Sequence, residues 1–402
     1  MVMTSDASSG VSAGPRVRAK LPTLRDVGCQ AYHDWFGKDV QETPTVSYVW
    51  TADQFGHFGL GFQITYLMGW IAILLGHPSK AVLVGCAVAN VLVWVVKEAF
   101  DYVREVKKAK EAQSIFTLNS GEILWNAVTA VFYIATGAIV AGAAVVGPQW
   151  AIVALLVLVL PSAALGVWWL RRKITFQQAG LPYLYRLADF PNDVGGANMA
   201  AFIMSLCTPP PAGSTDPGGR HLVISGPLDS GKSSLADGIG TEFAFRMGIG
   251  RYTTFAKLLQ SRVRREGHRE DEPEFNDGRI LWPWECSDLL IIDDVEVITD
   301  LGRHFAEAAG TTIDPVHQVE VTLKNHMGDH FLKGLNRRRT VWVLGEVPDP
   351  VPWRDMLARL MGLTDPKAIG IVSFAQTVKA KMAAQGTPVK PGFCDRGQAS
   401  YG

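Results

Sequence analysis

Long apolar runs fill the first half of the chain, and short ones punctuate the second. Four of the long runs come near the roughly 20 apolar residues that a bilayer crossing requires. They extend from about Phe55 to Leu75, Ala81 to Val96, Ile123 to Val146 and Trp150 to Leu170. Between Ile123 and Leu170 there is no Asp, Glu, Lys or Arg, and a Gly147-Pro148-Gln149 turn divides that stretch in two. Two such segments in tandem predict a membrane hairpin rather than buried soluble helices. The second run is the shortest, ending where Lys97 arrives.

After Pro209-Pro210-Pro211 the pattern changes. Short apolar runs near 221–225, 252–255, 288–293, 340–344 and 369–374 alternate with helical stretches, which predicts a parallel α/β sheet. The expected fold is therefore a membrane α-helical bundle of about four spans followed by an α/β domain. Its divisions are a tail at 1–52, a helical domain at 53–173, a juxtamembrane connector and linker at 174–219, the α/β domain at 220–376 and a tail at 377–402. The connector carries Tyr183, Tyr185 and Phe190 and then a helix-like piece around 200–206.

Charge refines this picture in one respect. The 38 basic and 38 acidic side chains cancel, so nothing global points to nucleic acid. Arg262, Arg264, Arg265 and Arg269 do cluster, but Glu270, Asp271, Glu272 and Glu274 follow at once, as on a solvated helix end. The cations near the spans are uneven. Arg16, Arg18, Lys20, Arg25 and Lys38 precede the first, Arg104, Lys107, Lys108 and Lys110 follow the second, and Arg171-Arg172-Lys173 follow the fourth. The other two loops hold only Lys80. By the positive-inside rule both termini are expected on the cytoplasmic side of an inner, cytoplasmic membrane. The first 45 residues lack the apolar core of a secretory signal. The five scattered cysteines, without a CxxC pair, read as reduced thiols rather than a disulfide frame or zinc site.

The chemistry concentrates in two places in the second half. Gly226-Pro227-Leu228-Asp229-Ser230-Gly231-Lys232-Ser233, followed by Ser234, is a G-x-x-x-x-G-K-[ST] loop between the apolar strand His221–Ser225 and a helical stretch. Glycines at these positions let backbone N–H groups curl around an anion, and a helix N-terminus adds positive potential. Lys232 would reach the β and γ phosphates of ATP, and the Ser233 hydroxyl would sit on Mg²⁺. Further on, Asp288-Leu289-Leu290-Ile291-Ile292-Asp293-Asp294-Val295-Glu296 reads as a buried strand ending in carboxylates. A strand neighbouring the loop would bring Asp293 to the magnesium, with Asp294 first and Glu296 second as the acid that activates water.

These two motifs resemble those of the AAA+ and related additional-strand P-loop ATPases, with replication initiators and helicase loaders the nearest in flavour. The resemblance spans roughly residues 220–375. It implies a further strand between the two motif strands, here Thr340–Leu344 followed by Gly345-Glu346, with Glu346 where a polar sensor residue usually stands. It also implies an arginine offered to a neighbouring subunit, for which Arg337, Arg338 and Arg339 are candidates. The usual helical lid has little chain left to form it.

The apolar half carries polar residues of its own. Asp53 and His57 share one face, as do Glu98 and Asp101 beside Lys97, and Glu122 opens the third span. All are expected at cytoplasmic ends, where they could meet as a metal or ligand site or as a salt-bridged lock between helices. Three functions follow from the whole pattern: an ATPase coupled to the bundle or to a partner protein, an ATP-gated oligomeric sensor of the defence type with little turnover, or an oligomeric transporter or channel component.

Overall fold

A computed structural model of the chain describes residues 20–36, 44–77, 79–111, 115–116, 119–191, 193–209, 219–260, 281–296 and 314–375. The Arg262–Glu274 charge cluster and the C-terminal tail lie outside the described residues.

Among the described residues the apolar half forms five helices: α1 (Leu24–Phe36), α2 (Val46–Leu74), α3 (Lys80–Glu111), α4 (Ser120–Val146) and α5 (Pro148–Gln178). The last four are long and apolar enough to cross a membrane. At 1.5 Å per residue the 27 residues of α4, the shortest, reach about 40 Å against a hydrocarbon core of about 30 Å. Their outward positions are apolar, among them Leu67, Val93 and Leu156. Inside, small residues let the backbones approach. A Cβ on Gly61 of α2 would lie 2.0 Å from the Ile134 carbonyl oxygen of α4, and one on Gly137 of α4 would lie 2.1 Å from the Phe58 carbonyl oxygen of α2. Hydrogen bonds between helices add direction to that packing. Asn90 of α3 donates to the Gly61 carbonyl at 3.1 Å and to Thr65 Oγ1 at 2.9 Å, and Trp169 Nε1 of α5 donates to Thr129 Oγ1 of α4 at 2.8 Å.

The helices run past the limits that hydropathy suggests. α2 begins at Val46, capped by Thr45 Oγ1, which accepts from the Tyr48 N–H. α3 carries its helix through Arg104, Lys107, Lys108 and Lys110 rather than ending in a basic loop. Pairs such as Lys108–Glu105 support those turns. α5 likewise carries Arg171, Arg172 and Lys173 within its helix. Apolarity marks the part of a helix that needs lipid, while the backbone continues wherever its hydrogen bonds do. Within the expected N-terminal tail lies α1, whose start is a reciprocal cap. Thr23 Oγ1 accepts from the Asp26 N–H at 3.2 Å, and Asp26 Oδ2 accepts from the Thr23 N–H at 3.0 Å.

The second half adds α6 (Ala197–Leu206), β1 (His221–Ser225), α7 (Lys232–Phe245), β2 (Gly250–Thr254), β3 (Leu289–Asp293), α8 (Pro315–Met327), α9 (Asp329–Gly334), β4 (Arg339–Val343), α10 (Val351–Met361) and β5 (Ile369–Ser373). The five strands form one sheet in the order β2-β3-β4-β1-β5, and every pairing is parallel. β3 is therefore not the direct neighbour of β1; β4 lies between them, as the family resemblance implies. Side chains alternate across the sheet with period two. Leu222, Ile224, Leu289, Ile291, Val341 and Val343 face one apolar layer. Val223, Leu290, Ile292 and Trp342 face the other, built on Leu323, Met327, Trp353 and Met356. Burying each such aliphatic side chain contributes about 1.5–3 kcal/mol.

The connector is not a loose linker. Leu187, Phe190, Val194, Ile203 and Leu206 are buried in the first layer with Ile239 and Phe243 of α7. Its amphipathic pieces cover a sheet face that α7 alone leaves open.

Two outcomes follow from this packing. Gly61→Ala and Gly137→Ala should each lower the thermal midpoint of the detergent-solubilised protein, overpacking of this kind costing about 1–3 kcal/mol. Gly59→Ala, whose added methyl meets open space, should not lower it. The second concerns His221, buried at the start of β1 with Nδ1 2.9 Å from Thr340 Oγ1. Burial depresses its imidazole to about 4 from an ordinary 6.5. Between those values the unfolded chain binds the extra proton, so stability should fall as pH drops from 6.5 towards 4. Chemical denaturation across that window should show a shallower fall in His221→Asn.

Candidate functional site

The loop from Gly226 to Gly231 joins β1 to α7 at the carboxyl edge of the parallel sheet, where open α/β folds place their ligands. Its shape follows from its glycines. Gly226 has φ 151°, and a Cβ there would fall 2.8 Å from Phe374 and 2.9 Å from Ser230 Oγ. Gly231, at φ 90°, precedes α7 without any side-chain cap, so the first N–H groups of that helix are left for another acceptor. Leu228 and Asp229 form the exposed tip, Asp229 at φ 59°, while Ser230 is buried below it and Pro227 half-buried beside it. Lys232 is buried and donates from Nζ to the Pro227 carbonyl at 2.8 Å, closing the loop on itself. Ser233 and Ser234 occupy the first turn of α7, half-buried.

Neighbouring strand ends complete the edge. The Gly226 N–H donates to the Gly345 carbonyl, just beyond β4, at 3.2 Å, and Ser225 Oγ lies 2.7 Å from Ser373 Oγ at the end of β5. Glu296 packs against Gly345, where a Cβ would fall 2.8 Å from that of Glu296. Burial raises the Glu296 carboxyl above the ordinary range, against its own backbone hydrogen bond and the pull of Lys232. At Asp294, at φ 57° and open to solvent on one side, partial desolvation first and then the charge of Asp293 raise the carboxyl, against the pull of Lys232. β1 and β3 run parallel in one sheet with β4 between them, so the loop and the acids that end β3 emerge at the same edge, and both acids feel the Lys232 ammonium.

Asp293 is held from two sides. Its Oδ1 accepts from the Asp294 N–H at 2.8 Å, and its Oδ2 accepts from the Tyr252 hydroxyl of β2 at 2.7 Å. Burial first, and then the charge of Asp293, keep the Tyr252 phenol well above its usual range, so it stays a donor. Asp237 of α7 is fully buried, and neither of its carboxylate oxygens has a hydrogen-bond partner among the described residues. Burial and the charge of Asp293 raise its carboxyl well above the carboxylate range, favouring its neutral form. The motif spacing does not announce Tyr252 or Asp237. For Asp237 there was a signal, since it stands one helical turn after Ser233 and therefore on the same face of α7.

Other expected residues lie elsewhere. Arg338 and Arg339 are buried at the start of β4, the opposite sheet edge from the loop, with Arg338 donating to the Trp284 carbonyl at 3.3 Å. Burial withdraws both as arginines offered to a neighbour, leaving Arg337 as the exposed one of the three. Glu346 is exposed beyond β4; Gly345 is what that strand end contributes to the site.

The polar residues of the apolar half resolve into separate pairs. His57 Nδ1 lies 3.7 Å from Asp53 within α2, and Lys97 lies 2.8 Å from Glu98 and 3.0 Å from Asp101 within α3. Glu122 instead joins the α/β half. Arg186 of the connector donates to Glu122 of α4 at 3.2 Å and to Glu242 of α7 at 2.8 Å. Among the described residues no group of three or more His, Cys, Asp or Glu is arranged to hold a metal ion.

No family model matches the chain, and no curated protein or solved structure matches it either.

Tyr252 gives that geometry a sharp test. Should Asp293 hold magnesium as its sequence context implies, Tyr252→Phe should raise the magnesium needed for half-maximal nucleotide binding by about 10–100-fold, the usual effect of losing an outer hydrogen-bond partner. Titration of a fluorescent ATP analogue against magnesium measures it.

Proposed function

We propose that the chain is a membrane-anchored P-loop ATPase: four helices in an inner, cytoplasmic membrane hold an ATP site on the cytoplasmic side, and ATP turnover changes the bundle or a partner protein. The observation that carries this reading is the convergence at one sheet edge of a glycine-shaped loop, an uncapped helix start, Lys232 and the acids ending β3. The strand order, with β4 between the loop strand and the acid-tipped strand, is the one the additional-strand ATPases use. Both termini on the cytoplasmic side agrees with the cations, and with the α/β half resting against the beginning of α4 and the end of α5, which are the same end of a helical hairpin.

In this reading the N–H groups of Gly226–Ser234 cradle the phosphates and Lys232 exchanges the Pro227 carbonyl for phosphate oxygens. Ser233 and Asp293 would hold magnesium, which when bound supplies positive charge against the phosphates. Asp294, with Glu296 in reserve, takes the proton of the attacking water; a carboxyl raised towards neutrality suits that task. Arg186 ties the far end of the loop helix to α4, a route by which the site could act on the bundle.

Purified full-length protein in detergent should bind ATP with magnesium and hydrolyse it at roughly one per second. Lys232→Ala should abolish binding. Asp294→Asn should keep binding while turnover falls roughly 100-fold or more, the usual share of a general base; if only Glu296→Gln does so, the reserve residue is the base. Binding without turnover in the unaltered protein favours the ATP-gated sensor instead. No affinity for any nucleoside triphosphate would sink both.

A further inference from the structure

α1 is anchored on one side and bare on the other. On the anchored side Asp34 is buried where α2 begins and α5 ends. Its Oδ1 accepts from Gln30 Nε2 at 2.9 Å, and its Oδ2 accepts from Ser47 Oγ and, at 3.4 Å, from Gln177 Nε2. With Val27 also buried, these contacts fix which face of the helix points away.

That outward face consists of Leu24, Arg25, Gly28, Cys29, Tyr32 and Phe36, all exposed. At 100° per residue they occupy a sector of about 140°. Leu24, Tyr32 and Phe36 are 75%, 68% and 73% exposed, large for apolar side chains on a helix held in place. The surface does not stop at α1. Tyr32 and Phe36 meet with tilted rings at 5.3 Å, Phe36 meets Trp35 at 6.4 Å, and Trp35 meets Phe55 of α2 at 5.7 Å and Tyr48 at 6.4 Å. Phe55 and Val49 in turn open the outward apolar flank of α2. The aromatic chain therefore runs from α1 directly onto the flank that lipid would cover.

The geometry points to the bilayer interface as the occupant of this face: α1 lies among the headgroups, with Leu24, Tyr32 and Phe36 dipping towards the acyl chains and Lys20 and Arg25 facing anionic lipid. Thirteen residues span only about 20 Å, too short to cross. An amphipathic helix with aromatic residues on its apolar side and flanking cations suits the interface instead. The inference rests on α2 to α5 crossing the bilayer and is independent of nucleotide.

Cys29 lies on the face and supplies the probe. The full chain, with Cys86, Cys207, Cys286 and Cys394 replaced by Ala, is labelled at Cys29 with an environment-sensitive fluorophore and reconstituted in vesicles of phosphatidylcholine and phosphatidylglycerol. Quenching should be at least about twofold stronger from a headgroup nitroxide than from one near the acyl terminus, as interfacial depth requires. A Val93→Cys probe, on the outward side of α3 and in a background with Cys29 replaced by Ala as well, should respond to the deep nitroxide. If Val93→Cys responds and Cys29 responds to neither, the interfacial placement is overturned and the spans stand. If neither probe responds, the spans themselves fail. A Cys29–Cys29 crosslink between chains would make a second copy the occupant and also overturn it. In the unaltered protein, a headgroup-linked diazirine lipid should label the peptide containing residues 26–36; absence of adducts there, with adducts on α2, would overturn it without any substitution.

Discussion

One carbonyl fixes how the two halves of this chain sit together. The Ala179 carbonyl, one residue past the end of α5, accepts from the Tyr252 N–H of β2 at 2.7 Å, and next to it the Gln178 carbonyl accepts from Arg251 Nη1 at 2.9 Å. The edge strand of the sheet is thus docked on the very end of an apolar helix, with no loop between to absorb a change of angle. Gln178 also accepts the Leu281 N–H through its side chain at 2.9 Å. Phe176 and Phe245 meet with tilted rings across the same joint at 5.4 Å, and Arg186 closes it between Glu122 and Glu242. Ion pairs of this kind contribute little at an open surface, but Glu242 is buried and Arg186 largely so, which leaves each costly to strand without its partner.

Much of the architecture was legible because it obeys one-dimensional rules. A bilayer demands a length of apolar sequence, and a buried parallel strand demands consecutive branched aliphatics, so Ile123–Leu170 and Leu289–Ile292 announced themselves. The ends of elements were less legible. α3 and α5 continue into charged residues because helix propagation depends on backbone hydrogen bonds and on i to i+4 pairing, which hydropathy does not measure. α1 was hidden for a related reason: its apolar face is a stripe, not a run, and its best marker was the Thr23–Asp26 cap. In the connector the helix-like piece around 200–206 was legible and is α6, but that it and Leu187, Phe190 and Val194 are buried against the sheet was not, because their spacing suits docking onto an existing surface.

The candidate site divides along the same line. The loop is local, so its glycines, lysine and serines could be placed from sequence, and the positive φ of Gly226 and Gly231 agrees with that placement. The order of strands could not be read from periodicity, and only the resemblance put β4 between β1 and β3. Tyr252 reaches Asp293 from another strand, a contact that no spacing encodes, while Asp237, which feels the charge of Asp293, was marked only by its place one turn after Ser233. The buried positions of Arg338 and Arg339 are the converse case. Three arginines in a row look like a surface turn, yet the register of β4 turns two of them into the fold.

These contacts bear on what a bound phosphate would do. α7 starts at the loop and ends at the joint, and its 14 residues span about 21 Å as one rigid rod. Its first turn holds Lys232, now spent on the Pro227 carbonyl; its last turns present Glu242 to Arg186 and Phe245 to Phe176. Drawing Lys232 and the uncapped N–H groups towards an anion acts on one end of that rod. The other end cannot shift without breaking or carrying the Glu242–Arg186–Glu122 chain into α4. Meanwhile Tyr252 links Asp293 to β2, and β2 is bonded to the end of α5. The site therefore has two short connections to the bundle, one from each motif, and they reach the two helices of a single hairpin. A change that moves the loop relative to the β3 acids would be felt as a change between α4 and α5, which is where Trp169 and Thr129 bind the two helices together.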